Sequence, residues 1–278
     1  MADKSASCDK NCASCGEACS SRRAPGSFRE EPHPGTEVGR VIGVVSGKGG
    51  VGKSLVTSLL ACAMRSKLKQ VALMDADVTG PSIPKMFGIH QRAVADESYM
   101  YPVNSRYGIK VMSLNLLVEK ETDPVIWRGP IIGGLIQQFW KDVKWGNIDY
   151  MFIDMPPGTG DVPLTVFQSI KLDGIIITAT PQELVSMIVA KAVNMAKMMN
   201  VPILGVVENM SYLRCPHCGE EIAVFGPSHT AEAAAEFGLP LLDRIPMDPK
   251  ISALSDAGQI EDADTSVLAN TIDTILNL

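Results

Sequence analysis

Residues 47–54 read Gly-Lys-Gly-Gly-Val-Gly-Lys-Ser, and this octapeptide decides the fold. Gly47, Gly52, Lys53 and Ser54 satisfy the phosphate-cradle pattern G-x-x-x-x-G-K-[ST], with Gly49, Gly50 and Val51 filling the loop. Glycines let the backbone curl so that successive N–H groups face phosphate oxygens. In such a loop Lys53 reaches the β- and γ-phosphates, and the Ser54 hydroxyl ligates Mg²⁺. A second lysine, Lys48, follows the first glycine, where it stands beside the phosphates. The flanks agree with this reading. Val41–Ser46 is a short apolar run that ends at the loop. Ser54–Ser66 carries Leu55, Leu59, Ala63 and Val56, Leu60, Met64 at helical spacing. Strand, glycine loop and helix form the setting a phosphate needs, because the helix N-terminus adds its positive dipole end.

Two further apolar runs end in carboxylates. Val71–Met74 leads into Asp75 and Asp77, and Tyr150–Ile153 leads into Asp154. Side chains two residues apart share a face for as long as strand geometry lasts. An aspartate at the tip of an apolar strand beside a P-loop is placed to hold Mg²⁺ directly or through water. Pro156 and Pro157 end that strand, and Gly158 and Gly160 supply mobility for a segment that senses the γ-phosphate.

Strands and helices alternate from Val41 onward. Strands are expected at Val41–Val45, Val71–Met74, Ile109–Leu114, Tyr150–Ile153, Gly174–Thr178, Ile203–Val207 and Leu241–Ile245. Helical spacing appears in Val185–Met199 and in Thr230–Phe237. This alternation implies an α/β fold: a P-loop NTPase with a mostly parallel sheet flanked by helices. Residues 1–37 are different. They hold four of the seven cysteines, then a Pro- and Gly-bearing stretch that reads as a flexible linker. The expected division is a Cys-rich metal-binding segment at 1–37 and an ATPase domain at 38–278. Net charge is −6, which argues against nucleic acid as a partner. No apolar run has the length of a membrane span, and the N-terminus lacks a secretory signal, so a cytoplasmic protein without a membrane partner is expected.

Cys215-Pro-His-Cys218-Gly places two thiolates three residues apart on a tight turn, enough to grip one metal centre but not to close it. The same pair from a second subunit is the simplest completion. Spacing alone leaves zinc and iron–sulfur open, since Cys12-Ala-Ser-Cys15 offers a second zinc-ribbon half. Cys8, Cys12, Cys15 and Cys19 lie within twelve residues, and the latter part of the set resembles the tail of a ferredoxin run, with Ser20 in place of the usual proline. An iron–sulfur cluster is expected there, with zinc or no metal as the alternatives. Cys62, within the first helix, reads as a small buried hydrophobe.

The chain resembles the Mrp/ApbC group of iron–sulfur cluster carrier ATPases, within the MinD/ParA/nitrogenase-iron-protein class. The resemblance rests on GKGGVGKS (47–54), DADVTGPSIP (75–84), WRGP (127–130), DMPPGTGD (154–161), PQE (181–183), ENMS (208–211) and CPHCG (215–219). It implies ATP, Mg²⁺ and a [4Fe–4S] cluster bridged by Cys215 and Cys218 of two subunits. It implies a homodimer in which Lys48 reaches the partner's nucleotide. Asp77 would orient the attacking water, Asp154 and Gly158 would belong to the second switch, and Asn209 would contact adenine. Long members of the group bind a second [4Fe–4S] cluster at four N-terminal cysteines, spaced more widely than here. The implied activity is ATP hydrolysis coupled to loading or delivery of clusters to apo iron–sulfur proteins. The alternative class is a MinD- or ParA-like positioning ATPase with a structural zinc site. The C-terminal stretch Ser266–Leu278 lacks the basic residues of a MinD-type membrane helix. A nitrogenase-type reductase would need a cysteine within 154–161, where there is none.

Overall fold

The structure is a computed structural model that describes residues 29–77, 80, 82–96, 98–118, 129–158, 160–182 and 185–278. The N-terminal cysteines 8, 12, 15 and 19, Trp127-Arg128 and Glu183 lie outside the described residues.

In chain order the elements are β1 (Thr36–Val45), α1 (Lys53–Ser66), β2 (Val71–Asp75), α2 (Ile83–Met86), β3 (Val94–Ala95), β4 (Met100–Tyr101), β5 (Val103–Asn104), β6 (Lys110–Met112) and α3 (Gly129–Lys141). They continue with β7 (Gly146–Asp154), α4 (Asp161–Ser169), β8 (Gly174–Ala179), α5 (Val185–Met198), β9 (Ile203–Glu208), β10 (Leu213–Arg214) and β11 (Glu221–Ile222). The last four are α6 (Thr230–Ala235), β12 (Leu241–Arg244), α7 (Pro249–Asp256) and α8 (Ala269–Leu276). Eight strands form one sheet in the order β12-β9-β8-β1-β7-β2-β6-β5. Every pairing in it is parallel except β5 with β6, an antiparallel edge. All seven expected strands are present, and the mostly parallel sheet flanked by helices is the expected α/β fold.

Period two in the strands sorts their apolar residues onto opposite faces. Val41, Val45, Met151, Ile153, Ile175 and Ile177 join one core with side chains of α3, α4 and α5. Ile42, Val44, Phe152 and Ile176 join the other with α1, α2, α7 and α8. A sheet covered on both faces needs continuous apolar strands, which is why the central strands read as unbroken runs. The Met-rich helix α5 divides its methionines: Met195 is core, whereas Met187 and Met198 are exposed.

Some boundaries differ from expectation. β1 starts five residues, and β7 four residues, before their apolar runs, because Thr36–Arg40 pairs with Gly146–Tyr150. The stretch read as linker is docked from Glu30 onward. The Glu30 amide donates to the Ser169 carbonyl (2.8 Å), the Trp140 indole donates to the Glu30 carbonyl (2.8 Å), and His33 is buried.

Candidate functional site

β1, β2 and β7 end side by side, and each delivers residues to one cleft. Val44 and Asp75 both lie in register with Asp154. Ligands in open α/β sheets bind at such carboxyl ends. The loop after β1 wraps a cleft of about 330 Å³ lined by Lys48, the glycines of 49–52, Lys53, Ser54, Asp77 and Pro157. Gly52 has φ +74°, and a Cβ there would sit 2.2 Å from Asn209 Nδ2. Gly47 leaves no room either, since its Cβ would meet Ile188 Cγ2 at 2.5 Å and the Ile188 carbonyl at 2.9 Å. The glycines therefore answer two needs: a left-handed turn, and close approach of neighbouring chain.

The charged groups are buried, and one ammonium faces two carboxylates. Lys53 Nζ donates to Asp154 Oδ1 at 2.7 Å and lies 3.4 Å from Asp77 Oδ2. Ser54 Oγ donates to Asp154 Oδ2 at 2.5 Å, and Thr57 Oγ1 donates to Asp154 Oδ1 at 2.9 Å. Cation, hydroxyl and carboxylate thus converge at the start of α1, the arrangement that binds a phosphate and a hard divalent cation together. β2 ends at Asp75, so Asp77 leaves strand geometry, and its N–H turns back to Asp75 Oδ1 at 3.2 Å. Asp75 is fully buried and also accepts from Ser113 Oγ at 2.9 Å. Burial, with the Asp154 charge adding to it, pushes the Asp75 carboxyl up to about 8. Gly158, at φ +85°, donates its N–H to the Ser46 carbonyl at 2.9 Å, which latches the segment after β7 onto the end of β1.

A second cleft, of about 570 Å³, adjoins the first through Leu55. Asn209, Met210, Pro246 and Met247 line it. Asn209 donates from Nδ2 to the Val51 carbonyl at 2.9 Å, which leaves its amide oxygen as the remaining acceptor.

The description NUBPL iron-transfer P-loop NTPase, of the ParA type, fits residues 37–277 as a family model. The chain belongs to that family. Among curated relatives of this iron-transfer P-loop NTPase is an iron–sulfur cluster carrier protein of Clostridium perfringens, 45% identical over 267 residues that span 91% of this chain and 94% of that one. Another of the same name, from Methanocaldococcus jannaschii, is 48% identical over 217 residues, 77% of this chain and 75% of the relative. Among solved structures, a nucleotide-binding protein of Archaeoglobus fulgidus in complex with ADP superposes with TM-score 0.73 at 43% identity, over 82% of this chain and 89% of that one. The MinD cell division protein of Aquifex aeolicus shares the fold, with TM-score 0.60 at 20% identity, over 86% of this chain and 98% of MinD.

In this iron-transfer P-loop NTPase the remaining expected residues fall in two places. Lys48 turns inward and donates to Gln182 Oε1 of the same chain. Cys215 and Cys218 sit on the β10–β11 hairpin, and neither lines the two clefts. The Cys215 N–H donates to the Glu220 carbonyl, and Gly219, at φ +77°, donates to the Cys215 carbonyl, each at 2.9 Å. The N–H groups of Cys218 and His217 hold the Cys215 thiol below its ordinary range, which favours the thiolate a metal needs. Cys218 is exposed. Cys62 is buried, and burial drives its thiol well up. Among the described residues no group of three or more His, Cys, Asp or Glu side chains could hold a metal ion. One hairpin therefore presents two thiols without a third ligand beside them.

Sequence reasoning passed over four contributors. Thr57 follows Lys53 by one helical turn, a spacing that signals its reach to Asp154. Asp75 was legible as a strand-end carboxylate but was not assigned a role. Ser113 follows a remote strand and no local pattern marks it; Gln182 stands in the PQE motif (181–183), which does not signal that it meets Lys48.

Proposed function

We propose that the protein is an ATP-hydrolysing carrier that receives or assembles a [4Fe–4S] cluster and delivers it to apo iron–sulfur proteins. The observation that carries this reading is the thiol hairpin: two cysteines without a third ligand, on a family whose relatives are named iron–sulfur cluster carriers. A cluster needs about four thiolates. Two copies of the chain, related by a twofold axis, would supply Cys215 and Cys218 twice. The cluster is then cargo: incoming thiolates of an acceptor displace these four in turn.

The nucleotide half follows from the cleft. The loop amides of Gly49–Ser54 and the Lys53 ammonium would bind the phosphates. The base would enter the adjoining cleft, where the free Asn209 amide oxygen can accept from an exocyclic amine. Ser54 and Asp154 would hold Mg²⁺, whose charge offsets that developing on the phosphate oxygens. Asp77, near Lys53 at the cleft mouth, would orient the attacking water. Lys48 would leave Gln182 and reach the nucleotide of a second subunit, so that ATP binding favours the closed pair. At about 4 Å such a contact is worth roughly 4 kcal/mol at an effective dielectric near 20. The N-terminal cysteines 8, 12, 15 and 19 would hold a second, more stable cluster.

The test is anaerobic reconstitution with iron and sulfide, followed by iron analysis, absorbance at about 400 nm and transfer to an apo-enzyme. With the four N-terminal cysteines changed to Ser, about two irons per chain are expected, in a dimer. Zinc in place of iron, or normal transfer by Cys215→Ser, would overturn the reading.

A further inference from the structure

The thiol hairpin and the nucleotide cleft meet at one buried carboxylate. Glu208 is the last residue of β9 and is wholly buried. The chain then turns sharply through Met210, held at φ +55°, which is uncommon for a side chain with a Cβ. It runs out to the cysteines and returns at Ser228. Both legs of this excursion close on Glu208: Ser211 Oγ donates to Oε1 and Ser228 Oγ donates to Oε2. Arg244 of β12 reinforces the clasp. Its Nε lies 3.4 Å from Glu208 Oε1 and donates to Ser211 Oγ at 2.7 Å, and its guanidinium lies 5.4 Å from the centre of the Tyr212 ring. One residue along, Asn209 reaches the Val51 carbonyl of the phosphate loop.

We propose that Glu208 is a positioning residue that couples the nucleotide cleft to the cysteine arm, so that occupancy of either changes the state of the other. The physical ground is the shortness of the link. Asn209 and Glu208 are consecutive and both held at the end of β9, so a displacement of the Asn209 backbone on base binding turns the backbone that carries Glu208. Glu208 cannot turn without moving both legs of the arm, because a buried carboxylate stripped of its donors is costly. The arm has its own hairpin bonds but is clasped at its root, so the root sets where Cys215 and Cys218 point. Coupling of this kind is reciprocal by thermodynamic necessity. The inference rests on the nucleotide and cluster reading above, since it names how that site is regulated.

The experiment uses the full-length, reduced, metal-free chain. Alkylation of Cys215 by iodoacetamide is followed by peptide mass spectrometry, with and without Mg²⁺ and a non-hydrolysable ATP analogue, and analogue affinity is measured in parallel. In the wild type the nucleotide is expected to change the Cys215 rate about fivefold or more. In Ser228→Ala, a residue that does not line the base cleft, affinity stays within about threefold of wild type while the rate ratio falls toward one. Glu208→Gln is expected to lose the ratio too. Should Glu208→Gln fail to fold, Ser228→Ala and Ser211→Ala carry the test. A merely structural clasp would lower stability and leave the ratio intact. A ratio unchanged in the folded variants, or a wild type that binds the analogue with no change at Cys215, overturns the coupling. A wild type that binds no analogue overturns the functional reading itself, and this inference with it.

Discussion

Lys53 Nζ lies 2.7 Å from Asp154 Oδ1, and the carboxylate has no solvent exposure while the lysine has 5%. The ammonium, Ser54 and Thr57 all donate to this buried carboxylate. Lys53→Ala would remove the phosphate-binding cation and strand Asp154 together with the nearby Asp77. Breaking a buried pair from one side costs about 3–5 kcal/mol. The variant is therefore expected to lose ATP binding and to unfold at distinctly lower urea. Adding Asp154→Asn should restore part of the stability and none of the binding. Calorimetric titration and urea unfolding check the two halves, and tight ATP binding by Lys53→Ala would remove the phosphate-loop assignment.

Asp75 sits across from Asp154 in strand register, and its carboxyl is pushed up to about 8 from the usual 3.8. Between those values the folded chain keeps a proton that the unfolded chain has released. Stability from this group is thus fully present below about pH 4 and is lost as pH rises through about 8. Asp75→Asn keeps an acceptor for Ser113 and does not titrate. Unfolding free energies for the nucleotide-free protein should fall with pH across that window more steeply in the wild type than in the variant. Equal slopes would mean that Asp75 is not held neutral.

The sequence made the cleft legible because its parts are local. The loop 47–54 is contiguous, and the aspartates end strands whose apolar runs are visible. What stayed hidden is what the sheet brings together from far apart. Ser113 meets Asp75 only because β6 lies beside β2, and Gln182 meets Lys48 only because β8 lies beside β1. The first half of β1 was missed for a different reason: Thr36–Arg40 is polar and extended by pairing with β7, with no apolar period of its own. The Pro and Gly at 32–35 suggested a loose linker, yet the indole of Trp140 and the carbonyl of Ser169 fix Glu30 just before it. Glu208 stands in a recognisable motif, but its role depends on Ser228, twenty residues away across the cysteine arm.

Gly52 and Asn209 report on how tightly the loop is built. A methyl at Gly52 would overlap the Asn209 amide, and the residue is left-handed at φ +74°. Gly52→Ala is expected to cost more than about 1 kcal/mol through the backbone alone and to weaken nucleotide binding by displacing Asn209. Asn209→Ala in the same background should recover some stability, since the overlapping atoms are gone, without recovering base affinity. Thermal melts of the single and double variants test this. If the double variant is no more stable than Gly52→Ala, the clash is not what limits the loop.

The Cys215 thiol owes its lowered proton affinity first to the N–H groups of Cys218 and His217, and only then to the Cys218 side chain. Backbone donors survive side-chain substitution. The pH profile of Cys215 alkylation in metal-free protein should therefore have its midpoint below the ordinary thiol value of 9.0, and Cys218→Ser should leave most of that displacement in place. Cys62, buried in α1 and driven the other way, should stay unlabelled until the chain is unfolded. Because metal competes with protons for thiolates, iron or zinc loading at the hairpin should persist to lower pH than an isolated Cys-x-x-Cys peptide allows. Peptide-resolved labelling across a pH series measures all of this. A Cys215 midpoint at or above 9.0, or one that returns to the ordinary value in Cys218→Ser, would show that the turn does not prepare the thiolate.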